Sequence, residues 1–248
     1  MKKTALITGS SRGIGREIAI RLAEENYQVI INGREKADVE KTCAEIKALS
    51  GEALSFVADL TTESGLKSAA QFVSEKCGGL DVLVTNIGSG KSPNELVVDL
   101  AEWKRVFDIN FYSAVAAINN FLPMLEKSKG QIVCISSVAG VEKMDIPITY
   151  SVAKAAVISF VHQAMRPMAE KGIRINAVSP GSVWIEDGSW DKKMQANPAK
   201  VNDMIQNQFA LKKFVGPDEI ADAVWFTIKN PSVTGQNFVI DAGQTRQT

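Results

Sequence analysis

Short, nearly unbroken apolar runs alternate with longer amphipathic stretches along the whole chain, and that rhythm restricts the fold more than any other feature. The runs are ALIT (5–8), YQVIIN (27–32), ALSFVA (53–58), DVLVTN (81–86), QIVCIS (131–136), IRINAVS (173–179) and NFVID (237–241). A strand with one wet face alternates apolar and polar residues. These mostly do not, as expected of strands covered on both faces. Between them the period changes. Ile14, Ile18 and Leu22 recur every four residues and line one face of a helix. Further helical patterns lie near 35–49, 62–77, 100–127, 150–171 and 217–229. This repetition predicts an α/β fold, a doubly wound parallel sheet with helices on both faces. No Pro/Gly/Ser-rich linker or internal repeat interrupts residues 1–248, so a single domain is expected.

Composition then removes whole classes of function. Twenty-eight acidic and twenty-eight basic side chains cancel, so no net field draws the chain to nucleic acid or an anionic membrane. Cys43, Cys77 and Cys134 stand apart and His162 is the single histidine, which argues against a zinc site or any other metal centre of these ligands. Isolated cysteines suit a reducing compartment. The start MKKTALITGS resembles a signal peptide, but its apolar run breaks at Thr8-Gly9, and no apolar stretch is long enough to span a bilayer. A cytoplasmic protein is expected.

The first strand runs straight into TGSSRGIG (8–15), which opens the first helix. Glycines there permit a tight turn and let backbone amides approach a pyrophosphate, while the helix N-terminus offers oriented N–H groups. The spacing Gly9-x-x-x-Gly13-x-Gly15 differs from the commoner GxGxxG, and a glycine trio also arises simply to link strand to helix. An acidic residue ending the second strand would bind a ribose 2′-hydroxyl and repel a 2′-phosphate. This chain has Asn32-Gly33-Arg34, with Arg12 in the glycine loop. Two guanidiniums and no carboxylate favour NADP(H). NAD(H) stays possible because Asn32 can bond a bare ribose, and Arg34 can equally be an ordinary surface residue.

Tyr150 and Lys154 lie four apart at the start of a predicted helix, hence on one face. A tyrosine acting as a base near neutrality needs its pKa lowered by about three units, or ~4 kcal/mol. A cation about 4 Å away supplies roughly that at an effective dielectric near 20. Lys154, helped by an oxidised nicotinamide ring, is placed to do so; in carbonyl reduction the same tyrosine is the proton donor. Ser137 ends the strand QIVCISS at the edge where α/β proteins bind ligands, and can orient a carbonyl beside Tyr150. The neighbouring Ser136 points to the opposite face.

TGSSRGIG, TNIG (85–88), FDIN ending at Asn110, ISS ending at Ser137, YSVAK (150–154) and SPG (179–181) occur in this order from the first strand to the closing TGQNFVIDAG. In this the chain resembles the short-chain dehydrogenase/reductase family over essentially its whole length. The resemblance implies a Rossmann-type enzyme in which Tyr150 exchanges a proton while hydride passes to or from the nicotinamide C4. It implies that Lys154 lowers the tyrosine pKa and binds the nicotinamide ribose, that Ser137 holds the reacting oxygen, and that Asn110 orders a water in a proton relay. The cofactor would lie along Gly9, Ser11, Arg12, Gly13, Ile14 and Gly15, then Asn32 and Arg34. Asp59 would meet the adenine, Leu60, Asn86 and Gly88 would lie along the cofactor, and Pro180, Gly181 and Val183 would border the nicotinamide beside Tyr150 and Lys154. Plainer roles exist: Asp59 as a helix N-cap, Asn110 as a helix adjuster, His162 as a structural or interface residue.

Departures from the family bear on the substrate. Where members often read NNAG this chain has Ile87, which can crowd the cofactor, and Ile185 stands where a threonine often meets the carboxamide. Residues 182–214, with Trp184, Trp190, Glu186, Asp187 and Asp191, read as a substrate lid, its tryptophans packing on ligand or anchoring the lid itself. A strongly anionic substrate fits there only if Lys192 and Lys193 face inward. The broad resemblance is to 3-oxoacyl-carrier-protein reductases, for which Lys127, Lys129, Lys171 and Arg174, taken to flank Ser137 and Tyr150, offer a basic face to an acyl carrier protein. Lysines at helix C-termini also simply complement the macrodipole. The long lid and the ending DAGQTR resemble sugar, polyol or polysaccharide-pathway relatives, and a non-catalytic NADPH sensor or scaffold is the remote alternative. Family likeness also implies a homotetramer pairing the helices at 110–127 and 152–170.

Overall fold

The computed structural model describes residues 2–246 and contains one parallel seven-stranded sheet. Its strands are β1 Thr4–Ile7, β2 Gln28–Gly33, β3 Glu52–Val57, β4 Val82–Thr85, β5 Gln131–Ile135, β6 Arg174–Pro180 and β7 Asn237–Ile240, in the order β3-β2-β1-β4-β5-β6-β7. Every apolar run read from the sequence supplies one of them. The central strands β1 and β4 are buried at every position, which is why their sequences lack alternation, whereas the edge strand β3 alternates.

The helices are α1 Gly13–Glu24, α2 Lys36–Ala48, α3 Glu63–Cys77, α4 Leu100–Phe107, α5 Ser113–Ser128, α6 Ile148–Glu170, α7 Ser189–Ala196, α8 Pro198–Gln208 and α9 Pro217–Lys229. One core layer packs Ile18 and Leu22 of α1 with Ile220 and Val224 of α9 on the sheet. The other packs Leu66 and Val73 of α3, Ile118 and Phe121 of α5, and Val157 and Val161 of α6. Many apolar residues of α5 and α6 thus serve the subunit's own core. A smaller cluster of Val201, Ile205 and Phe209 sits beneath α8.

Strand order reverses between β1 and β4, because the chain leaves β1 toward β2 and β3 and resumes on its other side. A crevice opens at the C-terminal ends of strands flanking such a switch. The segment expected as one helix over 100–127 is interrupted by a π turn, Asp108–Tyr112, at that level of the crevice. Among the described residues no helix is long and apolar enough to cross a membrane, and no cluster of three or more potential metal ligands occurs.

Candidate active site

The turn from β1 into α1 is shaped by glycines the backbone requires. Gly9 and Gly13 have φ of +64° and +59°, a region costly for residues with a Cβ. A Cβ on Gly15 would lie 2.5 Å from Asn86 Nδ2 and 2.7 Å from the Gly9 carbonyl oxygen. Asn86 donates to the carbonyls of Thr8 (3.0 Å) and Gly9 (3.1 Å), bracing the turn from β4. Arg12, the N-cap residue of α1, makes no capping side-chain bond. The first amides of the helix are therefore presented from a braced loop, a surface that fits a pyrophosphate.

Asn32 differs from expectation. It is buried; its Oδ1 accepts from Gly9 N (3.1 Å) and its Nδ2 donates to the carbonyls of Phe56 (3.2 Å) and Ala58 (3.1 Å). The side chain ties the glycine loop to β3 and is not presented to a ribose. Arg12 and Arg34 are exposed beside it, Arg34 Nη1 lying 3.9 Å from Asp59 Oδ2. Burial pushes the Asp59 carboxyl up, but bonds from the Thr61 hydroxyl and amide, with the Arg34 charge, outweigh this and hold it below its usual value. Asp59 does not cap α3; Thr62 does, accepting from Gly65 N at 3.1 Å. Leu60 is in the core, so only its backbone can face the crevice. Ser11 packs where a Cβ on Gly33 would come within 2.6 Å of its Oγ.

Tyr150, Lys154, Ser137 and Asn110 meet at the C-terminal end of β5. Lys154 is buried and donates to the Ile135 carbonyl at 2.9 Å. Burial pulls its pKa down to about 8, with Cys134 acting weakly in the opposite sense. Its ammonium lies 5.9 Å from the centre of the Tyr150 ring. The expected depression of Tyr150 is absent in the protein alone: burial pushes the phenol up, opposed by a hydrogen bond with Ser137. Lys154, 5.9 Å from the ring centre, does not reverse that. Ser136 faces away, its hydroxyl bonding the Lys154 carbonyl at 2.8 Å.

Asn110 sits in the π turn, 1% exposed. Its Nδ2 donates to the carbonyls of Ser89 (3.0 Å) and Val106 (2.9 Å), and its Oδ1 accepts from Ser89 N (2.8 Å). Both amide hydrogens are committed and one Oδ1 lone pair remains. A Cβ on Gly88 would meet Asn110 Oδ1 at 2.9 Å and Lys154 Nζ at 3.0 Å, so the bare glycine alone separates the two groups.

On the far wall, Gly181 leaves no room for a Cβ against Asp241, and Val183 pairs with Val215. The Pro180 ring is buried. Ile185 reaches back over the glycine loop, its Cδ1 3.3 Å from a Cβ placed on Gly13. Ile87 packs against Gly9, its Cγ1 3.1 Å from a Cβ placed there. Trp184 and Trp190 both stack on Phe214, with ring centres 5.5 and 5.3 Å away, so both anchor the segment 182–214. Lys193 covers Trp190 at 4.1 Å and Lys192 is exposed, so neither faces inward.

The basic face is corrected outright. Lys127, Lys129 and Lys171 end α5 and α6, and Arg174 starts β6, at the sheet edge opposite Ser137 and Tyr150. At 1.5 Å per residue, Lys171 is about 30 Å along α6 from Tyr150. Lys171 pairs with Glu126 at 3.1 Å, and Arg174 clasps the carbonyls of Thr227, Ile228 and Val233. His162, exposed on α6, lies roughly 18 Å from Tyr150. Sequence reasoning missed Gly140, whose Cβ would sit 2.5 Å from the Lys154 carbonyl carbon; the glycine of SVAG three residues beyond Ser137 was its signal. It also missed Ser89, which gives no signal of its own.

The family model for short chain dehydrogenases matches residues 3–192. The chain is 32% identical to a diacetyl reductase ((S)-acetoin forming) of Staphylococcus epidermidis, over 98% of each chain. It is 33% identical to the 3-oxoacyl-(acyl-carrier-protein) reductase FabG of the same species, over 98% of this chain and 99% of the relative. Among solved structures it is similar to a 7α-hydroxysteroid dehydrogenase complexed with NADH and 7-oxo glycochenodeoxycholic acid, with a TM-score of 0.88, 28% identity, and 99% and 95% of the two chains covered.

Proposed function

The chain belongs to the short chain dehydrogenase family, and we propose that it reduces a 3-oxoacyl thioester with NADPH. It is an oxidoreductase working between CH–OH and C=O groups. The observation that carries the reading is geometric: the Tyr150 phenol is hydrogen-bonded with Ser137 at the end of β5, with the buried Lys154 ammonium 5.9 Å from its ring centre. A protonated phenol is a donor at neutral pH, and a carbonyl oxygen accepting hydride at its carbon needs one.

The cradle at Gly9, Ser11, Gly13, Ile14 and Gly15 holds the pyrophosphate, and Asp59 and Leu60 border the adenine. Asn86, Gly88, Pro180, Gly181 and Val183 line the path to the catalytic end. When bound, the nicotinamide supplies hydride at C4. Ser137 hydrogen-bonds the substrate oxygen and Tyr150 delivers the proton to it. Lys154 binds the ribose hydroxyls and recharges Tyr150, drawing on a water held by the free lone pair of Asn110 Oδ1 on the other side of Gly88. Arg12 and Arg34, exposed at the end of β2, meet the 2′-phosphate, and the withdrawal of Asn32 into the scaffold leaves no side-chain amide there for a bare ribose. Exposed Tyr112, Ile148 and Val152, on the π turn and the first turns of α6, support a homotetramer, which light scattering tests.

One observation favours a second reading, a small diketone, sugar or polyol carbonyl. The basic side chains offered to an acyl carrier protein lie at the far edge of the sheet, so no carrier docking is built on them. NADPH oxidation with a short 3-oxoacyl thioester, diacetyl and a ketose, each at matched concentration, separates the readings. Greatest kcat/KM on the thioester is expected; turnover confined to the diketone or sugar sinks the acyl reading.

A further inference from the structure

Tyr150 stands in the first turn of α6, where a helix frays most readily. That turn has no side-chain cap, since its N-cap residue is Pro147. Lateral contacts must therefore fix the tyrosine. Two separate features supply them. The backbone at Gly90 runs across the phenol ring, a Cβ there lying 4.0 Å from Tyr150 Cε1 and Cζ. Two residues on, Ser92 accepts a hydrogen bond from the hydroxyl of Thr149, Tyr150's buried neighbour, at 2.8 Å.

The Ser92 hydroxyl also lies by the Glu102 carboxylate of α4 and helps to lower its pKa. Arg105 grips Glu102 bidentately, with both bonds 2.6 Å, and also donates to the Lys91 carbonyl at 2.6 Å. Bonds from Arg105 first and Ser92 second keep Glu102 ionised, its pKa down at about 2. An ionised carboxylate only accepts, so Ser92 must donate to it and receive from Thr149. Asn94 adds a parallel tie to Asp145 at 2.9 Å.

Resting on the reading of Tyr150 as proton donor, we infer that Ser92 and Thr149 are positioning residues that hold the catalytic tyrosine by clamping the first turn of its helix to the loop arching over its ring. They touch neither cofactor nor reacting atoms. Their effect is on the orientation of the phenol, where a displacement of about 1 Å can cost up to a hundredfold in rate.

Thr149→Val keeps the shape and removes the hydroxyl, Ser92→Ala removes the other end, and Thr149→Ser retains the bond. Backbone hydrogen exchange of the peptide spanning 148–154, read by mass spectrometry without substrate, is expected to quicken in Thr149→Val and Ser92→Ala and to stay at the wild-type rate in Thr149→Ser. Turnover, read with whichever carbonyl the wild type reduces fastest, is expected to fall about tenfold in kcat with the cofactor KM within about twofold. The double variant should be no worse than Ser92→Ala alone, because both changes break the same Thr149–Ser92 bond. Unchanged exchange overturns the inference, as does faster exchange with turnover intact. Failure of the 3-oxoacyl reading shows separately, in which substrate the wild type accepts.

Discussion

Lys154 is a cation in a site that does not want one, and replacing it tests the electrostatics of the whole centre. Burial lowers its pKa from 10.5 to about 8, and its amine is 3% exposed with the Ile135 carbonyl as acceptor. That shift means the folded protein carries about 3 kcal/mol of penalty for keeping Lys154 charged at neutral pH. Lys154→Met removes the charge at similar volume and loses one hydrogen bond worth about 1 kcal/mol. The cofactor-free variant is therefore expected to be more stable than the wild type by ~2 kcal/mol at neutral pH, while losing turnover. Between the folded pKa of about 8 and the unfolded value of 10.5 the unfolded chain holds more protons than the folded one. Wild-type stability therefore climbs with pH through that window. The variant has no such gain, so its advantage is full below about pH 8 and disappears toward pH 10.5. Urea unfolding followed by tryptophan fluorescence, at one protein concentration and several pH values, reads this directly. An advantage independent of pH, or a variant less stable at neutrality, would mean that the buried charge of Lys154 does not destabilise the fold.

Three other perturbations follow from particular contacts. Asn32→Ala strips partners from Gly9 N and from the Phe56 and Ala58 carbonyls, and should cost about 2–3 kcal/mol in urea unfolding. A loss under ~0.5 kcal/mol would return Asn32 to the surface role the sequence suggested. Gly15→Ala drives a methyl into Asn86 and the Gly9 carbonyl, so NADPH affinity by fluorescence titration should drop at least tenfold. Arg34→Ala should weaken NADPH by about tenfold and leave NADH within about twofold, since one charge-assisted contact is removed; equal losses for both would place Arg34 away from the 2′-phosphate.

The sheet was legible because doubly covered parallel strands must be apolar throughout, so each run from ALIT to NFVID marked a strand with little ambiguity. Chain order and the C-terminal edge rule then brought Ser137, Tyr150 and Lys154 together. What the sequence hid was tertiary. Asn32 is a residue type that binds ribose or braces a loop equally well, and only the positions of Gly9, Phe56 and Ala58 decide which. Asn110, within the π turn, is held by bonds to Ser89, twenty-one residues away. Tyr150's raised pKa depends on how the surrounding structure desolvates the half-buried residue, which the Tyr-x-x-x-Lys spacing does not express. The misplaced basic face was legible and misread: residues at helix ends and strand starts belong to the N-terminal edge of a parallel sheet, opposite the site.

If Tyr150 is the proton donor of a working reductase, steady-state NADPH oxidation by Tyr150→Phe, beside a fluorescence titration of its NADPH affinity, shows it. Losing the phenol should lower kcat at least a hundredfold, the ordinary worth of a general acid, while cofactor affinity stays within about twofold. Turnover that survives in Tyr150→Phe would mean that another group donates the proton.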